Sequence, residues 1–408
     1  MKKIVIYICL MILPVSGLFS QETDSNYKME IESGFISVDG GKLYYEIAGE
    51  GGWIVLLHDG ILHNVVWDEQ FPVLAKHYKV VRYDRRGFGK SSTPQSAFSH
   101  TEDLNQIFTQ LKIDNAIVFG MSAGGGLAIN FTLKYPNKVN ALVLVGAVVS
   151  GYGYSNHFIT RGGRVDLSEV FNNNEKFIQF FGWDDPYEIY PKNIEAKKKF
   201  FELLKANPQN IIGALGYYSL PPDRAAVDFL NEINIPAIIF IGEYDIPDVH
   251  AHSGAIQSGI QNSKREIIFN AGHLIPIEQP KAFNAATMKF LNGLEFNSVL
   301  NKKGALAAVE YFNEKRETDP TIILFEEAEM NALGYSFLQS GKIKDAIELF
   351  KLNTIAYPNS GNVYDSLGEA YFKNGQNELA VENYRKSLEL NPANTNAENM
   401  INQLIGNE

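Results

Sequence analysis

The stretch Gly120-Met121-Ser122-Ala123-Gly124 sets a serine between two glycines, the pattern of a nucleophile carried on a very sharp turn. An apolar run, Ala116 to Phe119, precedes it and a helical pattern, Ala123 to Lys134, follows. Such a turn holds the serine in a strained backbone, and side chains two residues to either side of it would collide. The Ser122 hydroxyl would stand at the strand tip, with the Ala123 N–H at the helix N-terminus facing a developing negative charge. A hydroxyl is a weak nucleophile until a base takes its proton, and the base needs an acid to orient it. Downstream, Ala237 to Ile241 runs into Gly242-Glu243-Tyr244-Asp245, and Glu266 to Phe269 runs into Asn270-Ala271-Gly272-His273. Both places read as C-terminal ends of strands, where ligand sites gather in open parallel sheets. Ser122, Asp245 and His273 therefore follow one another as nucleophile, acid and base.

Glu243 and Asp248 are rival acids. Glu243 reads as facing away in the strand-end turn, and Asp248 follows Pro247 where a helix start favours a carboxylate. His250 and His252 lack a third ligand motif and read as surface residues at that helix start. No Walker motif, dinucleotide-type glycine loop or zinc motif occurs, so no cofactor and no metal are expected.

These residues need a scaffold. A hairpin is expected from Ile36 to Tyr45, turning at Asp39-Gly40-Gly41. Apolar runs follow at Trp53–Leu57, Val80–Tyr83, Ala116–Phe119, Ala141–Val145, Ala237–Ile241 and Glu266–Phe269. Such runs suit strands buried on both faces. Helical stretches lie between them, which predicts an α/β fold with a mostly parallel sheet. The rhythm breaks between Val149 and Ile233, where Phe158, Phe171, Phe177, Phe180, Phe181, Trp183, Phe200, Phe201, Tyr217 and Tyr218 fall. This reads as a cap of short helices over a strand end, most of its aromatics forming its own core and a minority lining a pocket.

Five motifs now stand in order: His58-Asp59-Gly60, the run Asp84-Arg85-Arg86-Gly87-Phe88-Gly89-Lys90-Ser91, the serine turn, Gly242 to Asp245, and Gly272-His273. With them, the region from about 34 to 294 resembles the α/β-hydrolase superfamily, in its cap-bearing esterase, lactonase and C–C hydrolase branch. The resemblance implies that Ser122 is the nucleophile, His273 the general base and Asp245 its orienter. It implies an oxyanion hole from the N–H groups of Ala123 and Gly60. Asp59 departs from the family, which has glycine there; its carboxylate would either repel the developing charge or point away. The implied reaction is hydrolysis of a carboxylic ester or lactone bearing apolar groups, through an acyl-enzyme. A serine nucleophile excludes the dehalogenase and epoxide hydrolase branches, which use aspartate. A proline-type aminopeptidase or a cofactor-free peroxidase would use the same triad, although the elbow lacks the tryptophan common in the peptidases. A further alternative is an interaction protein with a vestigial hydrolase.

That alternative comes from the C-terminal part. After Leu294 a short polar stretch, Asn297 to Lys303, leads into helical patterns. Leu333-Gly334 recurs as Leu367-Gly368, Phe337 as Tyr371, and Ala346, Phe350 and Pro358 as Ala380, Tyr384 and Pro392. This resembles tetratricopeptide repeats, at about 327–360 and 361–394. Small residues let two helices approach, aromatics fill between them, and prolines stop the second. Ala305 to Arg316 reads as a degenerate helix and Thr395 to Ile405 as a cap. Two repeats are marginal alone, so they are expected to use the upstream helix or dock on the first domain. A protein or peptide is the expected partner.

At 408 residues two domains are expected: 27–296 as hydrolase with the cap at about 150–232, and 303–408 as the repeat domain. Residues 1–20 read as a signal peptide: Lys2 and Lys3, an apolar run from Ile4 to Pro14, then small residues to Ser20. The run is too short for a permanent membrane span, so an exported protein, periplasmic or secreted, is expected. Its single cysteine, Cys9, lies in that segment, leaving no thiol for disulfides, thiol catalysis or metal binding in the mature chain. A net charge of −11, or −13 without Lys2 and Lys3, disfavours nucleic acid and anionic membranes as partners.

Overall fold

The computed structural model describes residues 29–156, 158, 173, 175–176, 193–214, 216 and 218–406. The expected signal peptide, and Phe171, Phe177, Phe180, Phe181, Trp183 and Tyr217 of the cap, lie outside the described residues. No helix among the described residues is long and apolar enough to cross a membrane.

Strands β1 (Glu32–Val38), β2 (Gly41–Ala48), β3 (Trp53–Leu57), β4 (Lys79–Tyr83), β5 (Ala116–Met121), β6 (Val139–Val145), β7 (Ala237–Gly242) and β8 (Ser263–Ile268) form one sheet. The order is β1-β2-β4-β3-β5-β6-β7-β8. The expected hairpin is β1–β2, antiparallel, and β2 pairs antiparallel with β4. From β4 through β3 to β8 all pairing is parallel. Alternate side chains enter opposite cores. Val55, Leu57, Val118, Leu142, Leu144 and Ile239 pack on one face, while Ile54, Leu56, Phe119, Val143, Val145 and Phe240 pack on the other. Burial on both faces explains why the inner strands read as unbroken apolar runs; the run Glu266–Phe269 departs from that expectation, because β8 is the sheet edge and leaves Ile267 and Phe269 exposed.

The insertion after β6 contains two described helices, Ile194–Ala206 and Asn210–Ala214. Asn193 caps the first by accepting from the Ala196 N–H, and Phe200 is buried beneath it. Asn210 accepts from the Gly89 N–H at 3.0 Å, which ties the insertion to the loop after β4. A Cβ at Gly213 would fall 2.2 Å from the Phe88 ring, so only glycine lets this segment close on that loop.

The short polar stretch Asn297 to Lys303 is itself helical. Residues Pro280–Lys303 form one helix of 24 residues that starts in the hydrolase and ends against the repeats. Phe296 and Leu300, four apart, face one buried stripe, so the polar residues between them are the outer face of an amphipathic turn. Helices Ala305–Thr318, Glu327–Gln339, Ile343–Ala356, Gly361–Lys373, Asn377–Leu390 and Thr395–Ile405 follow. The repeat reading holds at contact level: a Cβ on Gly334 would meet the Phe350 ring at 2.5 Å, and one on Gly368 the Tyr384 ring at 3.1 Å. The repeats use both expected supports. Phe296, Leu300, Ala308 and Phe312 share a core with Met330, Leu349 and Leu352. Lys264 of β8 pairs with Glu329 at 3.0 Å.

Glu295 joins the two parts. Tyr78, buried before β4, donates to its Oε1 at 3.0 Å, and Tyr311, before the repeats, donates to its Oε2 at 2.7 Å. Burial, then the nearby carboxylate, raises the pKa of both phenols, so both hydroxyls remain donors. Glu295→Ala strips both donors of their acceptor and is expected to cost roughly 1–3 kcal/mol. The urea midpoint of the full chain measures this, and an unchanged midpoint would show the bridge to be idle.

Candidate active site

Ser122 joins β5 to the helix Ala123–Lys134 with φ 52° and ψ −117°, outside the regions a non-glycine residue readily takes. A residue held there costs about 1–3 kcal/mol, so the surroundings must enforce it. They do so through backbone bonds. The Ser122 N–H donates to Val145 O at 2.9 Å, and Ser122 O accepts from Gly126 N–H at 3.1 Å and Val148 N–H at 3.3 Å. The flanking glycines are needed as anticipated, but the collisions they avoid are with other backbone. A Cβ on Gly120 would lie 2.5 Å from Gly124 O, and one on Gly124 would lie 2.4 Å from His58 O. The second contact wedges the elbow against the end of β3.

Asp245 follows β7 and His273 follows β8, and both are buried. His273 Nδ1 lies 3.0 and 2.9 Å from the two oxygens of Asp245. A carboxylate facing Nδ1 holds the proton there and leaves Nε2 free to accept one. The two loops can meet because Gly242 has no side chain, since a Cβ there would sit 2.0 Å from Gly272 O. Gly146, which directly follows the acceptor of the Ser122 N–H, backs the pair: a Cβ on it would be 3.1 Å from the His273 ring. All three candidate residues thus lie at the same end of the parallel strands β5, β7 and β8, with β6 between the first two. Among the described residues Ser122 Oγ makes no hydrogen bond.

The rival acids are engaged elsewhere. Glu243 accepts from the Asn270 N–H at 3.0 Å, and Asp248 accepts from both the N–H and the hydroxyl of Ser155. His252 corrects the sequence reading, because it is fully buried and not a surface residue. Its Nδ1 accepts from the Val149 N–H at 3.1 Å, and its ring packs against Tyr152 and Tyr154. The expectation failed because the partner surface comes from the segment that enters the insertion, distant in the chain.

Gly60 lies beside Ala123: a Cβ on Gly60 would be 3.4 Å from that of Ala123. Both line a cavity of about 400 Å³ shared with Arg85, Phe88, Leu127 and Tyr152. Ser122 and His273 are not in its wall, so the cavity adjoins the elbow on the side of the two candidate N–H donors. Asp59 points back into its own loop. Its Oδ1 accepts from Ile61 N–H at 2.6 Å and Leu62 N–H at 2.8 Å, while the buried Oδ2 has no hydrogen-bond partner.

Two residues escaped the sequence reading. Glu278 is buried, and its carboxylate accepts from the N–H of Gly272 at 2.9 Å and of Leu274 at 3.1 Å, on either side of His273. An acid embedded in Ile275-Pro276-Ile277-Glu278 was the available clue. Arg85 is buried and donates through Nη2 to Asp59 O.

Burial works to lower the pKa of His273, but the charge of Asp245 and its hydrogen bond, with Asp59 and Glu278 behind, leave it raised.

Residues 53–280 match the family described as alpha/beta hydrolase fold, and residues 361–394 match a tetratricopeptide repeat. The chain belongs to the alpha/beta hydrolase fold family and carries a C-terminal tetratricopeptide repeat. A Synechocystis sp. (strain ATCC 27184 / PCC 6803 / Kazusa) protein, provisionally named a non-heme chloroperoxidase, is 38% identical over 267 residues, which span 61% of this chain and 94% of the relative. Carboxylesterase YbfK of Bacillus subtilis (strain 168) is 23% identical over 302 residues, spanning 68% of this chain and 95% of the relative. The structure of a bromoperoxidase from Bacillus anthracis matches with a TM-score of 0.52 and 26% identity, covering 64% of this chain and 99% of that one.

Two substitutions probe the His273 setting. Asp59→Asn keeps the loop's acceptor and removes a charge that raises the His273 pKa. A general base works deprotonated, so the acid limb of kcat/KM for an ester substrate is expected to move to lower pH; an unmoved limb would make Asp59 a spectator. Glu278→Ala leaves two buried N–H groups unsatisfied, at a cost of roughly 2–4 kcal/mol in urea unfolding.

Proposed function

We propose that the protein is an exported serine hydrolase that cleaves a carboxylic ester or lactone through an acyl-enzyme on Ser122. The observation that carries this reading is the buried Asp245–His273 pair together with a serine held at positive φ, all at the C-terminal ends of parallel strands of one sheet. His273 Nε2 takes the Oγ proton as Ser122 attacks the carbonyl carbon. The N–H groups of Ala123 and Gly60 receive the oxyanion, and the imidazolium returns its proton to the departing alkoxide. Water, deprotonated by His273, then releases the acid and restores Ser122. The carboxylesterase relative supports ester chemistry.

The chloroperoxidase and bromoperoxidase relatives favour a second reading of the same site. In it hydrogen peroxide replaces water as the nucleophile toward the acyl-enzyme, and the product is a peracid. Export rests on residues 1–20 alone, with removal after Ser20 leaving Gln21 as the first residue. The repeats would present a surface for a protein or peptide partner.

A fluorophosphonate probe is expected to label the protein, and Ser122→Ala to abolish labelling. Ser122→Ala and His273→Ala should each lower kcat on a short-chain p-nitrophenyl ester by at least about 10⁴-fold. Equal labelling of wild type and Ser122→Ala would remove Ser122 as the nucleophile. Peracid formation on adding peroxide, measured beside ester hydrolysis, separates the two readings.

A further inference from the structure

We propose that Arg85 is a positioning residue of the oxyanion hole, acting through the Asp59–Gly60 peptide to aim and polarise the Gly60 N–H. The inference rests on the reading of Ser122 as the nucleophile, and it concerns a side chain that the hydrolytic steps above do not use.

The geometry begins with one carbonyl. Asp59 O accepts two hydrogen bonds, from His58 Nδ1 at 2.8 Å and from Arg85 Nη2. In a planar trans peptide the C=O and the N–H point in opposite directions. Holding Asp59 O on the side of His58 and Arg85 therefore turns the Gly60 N–H the other way, and Gly60 stands beside Ala123. The clamp is itself fixed. The Arg85 backbone N–H donates to His58 Nε2 at 2.9 Å. Since a backbone N–H can only donate, Nε2 is the unprotonated nitrogen and Nδ1 carries the proton it gives to Asp59 O. Burial, and then the charge of Arg85, hold the His58 pKa well below its ordinary value, so this neutral tautomer persists.

The second part of the argument is charge. Arg85 is buried and forms no ion pair among the described residues; its Nε lacks a partner and its guanidinium lies 4.9 Å from the Phe88 ring centre. Burying a cation without an ion-pair partner is costly, and a neutral amide could satisfy the carbonyl more cheaply. The positive charge therefore requires a reason of its own. Two are present at this loop. The Asp59 carboxylate is buried there with Oδ2 unpartnered, and its field opposes an oxyanion. The oxyanion adds a second negative charge during the reaction. A cation bonded to the carbonyl end of the donor peptide offsets the first and draws electron density from the N–H that binds the second. This also accounts for how the chain carries aspartate where the family has glycine.

The test compares Arg85→Gln, which keeps an N–H donor but loses the charge, with Arg85→Lys, which keeps the charge. Active sites are first counted by fluorophosphonate labelling, so that kcat refers to folded enzyme only. Arg85→Gln is expected to lower kcat about 10–100-fold with KM changed less than about threefold, below the loss for deleting a donor outright. In isotope-edited infrared spectra of the acyl-enzyme, its carbonyl stretch should rise in frequency as polarisation is lost, and Arg85→Lys should recover part of both effects. Wild-type kcat per active site and an unshifted carbonyl stretch in Arg85→Gln would overturn the proposal while leaving Ser122 in place. Absence of any labelled or acylated wild type would remove the Ser122 reading and this one with it.

Discussion

At the carboxyl ends of the central strands, backbone meets backbone at distances that leave no room for a β-carbon. Gly124 lies against the last carbonyls of β3, Gly120 against the start of the following helix, and Gly242 against the loop that carries His273. Each contact removes freedom from a segment that bears a site residue. Together they support Ser122 in a backbone conformation that it would not hold alone. The apolar strands matter to chemistry because they bring these three crossings into register. A methyl group at any of the three would have to move a strand end, and the geometry of the site would move with it.

The electrostatics are built on the same few loops. Asp245, Glu278 and Asp59 surround His273 with negative charge, and Glu278 and Asp59 also serve as acceptors for backbone N–H groups. Arg85 and His58 lie on the other side of the Asp59–Gly60 peptide. The imidazole thus has carboxylates about it, while the Asp59–Gly60 peptide has a buried cation bonded to its carbonyl end. That polarity matches a reaction in which the imidazole becomes positive as the substrate oxygen becomes negative.

Much of this was legible in the chain. The elbow, the strand-end positions of Asp245 and His273, the hairpin and the repeat offsets are patterns of residue type and spacing along the chain itself. Four features were not. The direction of the Asp59 carboxylate depends on a turn whose acceptor geometry has no sequence mark. Burial of His252 comes from residues about a hundred positions away. Glu278 braces His273 from within a short apolar run that reads as core. The polar stretch from Asn297 to Lys303 shows no helical stripe of its own, and its place in a helix follows from Phe296 and Leu300 on one buried face. For His252 the deciding partner is remote, for Asp59 and Glu278 it is nearby backbone whose direction residue type does not mark, and for Asn297 to Lys303 the polar residues are the outer face of a buried stripe.

The helix Pro280–Lys303 begins two residues after Glu278 and reaches the first helices of the repeat array. At about 1.5 Å per residue it is about 36 Å long, with Phe283 and Leu291 packed in the hydrolase core and Phe296 and Leu300 in the repeat core, so it acts as a rigid strut shared by both. A flexible tether would let a captured molecule search a volume around the hydrolase; a strut offers a single displacement and a single orientation. For a protein or peptide partner held on the repeats, as proposed above, the local concentration at the Ser122 elbow would then be either very high or close to nothing, according to its length and shape. Selection by reach is a kind of specificity that no residue of the pocket has to encode.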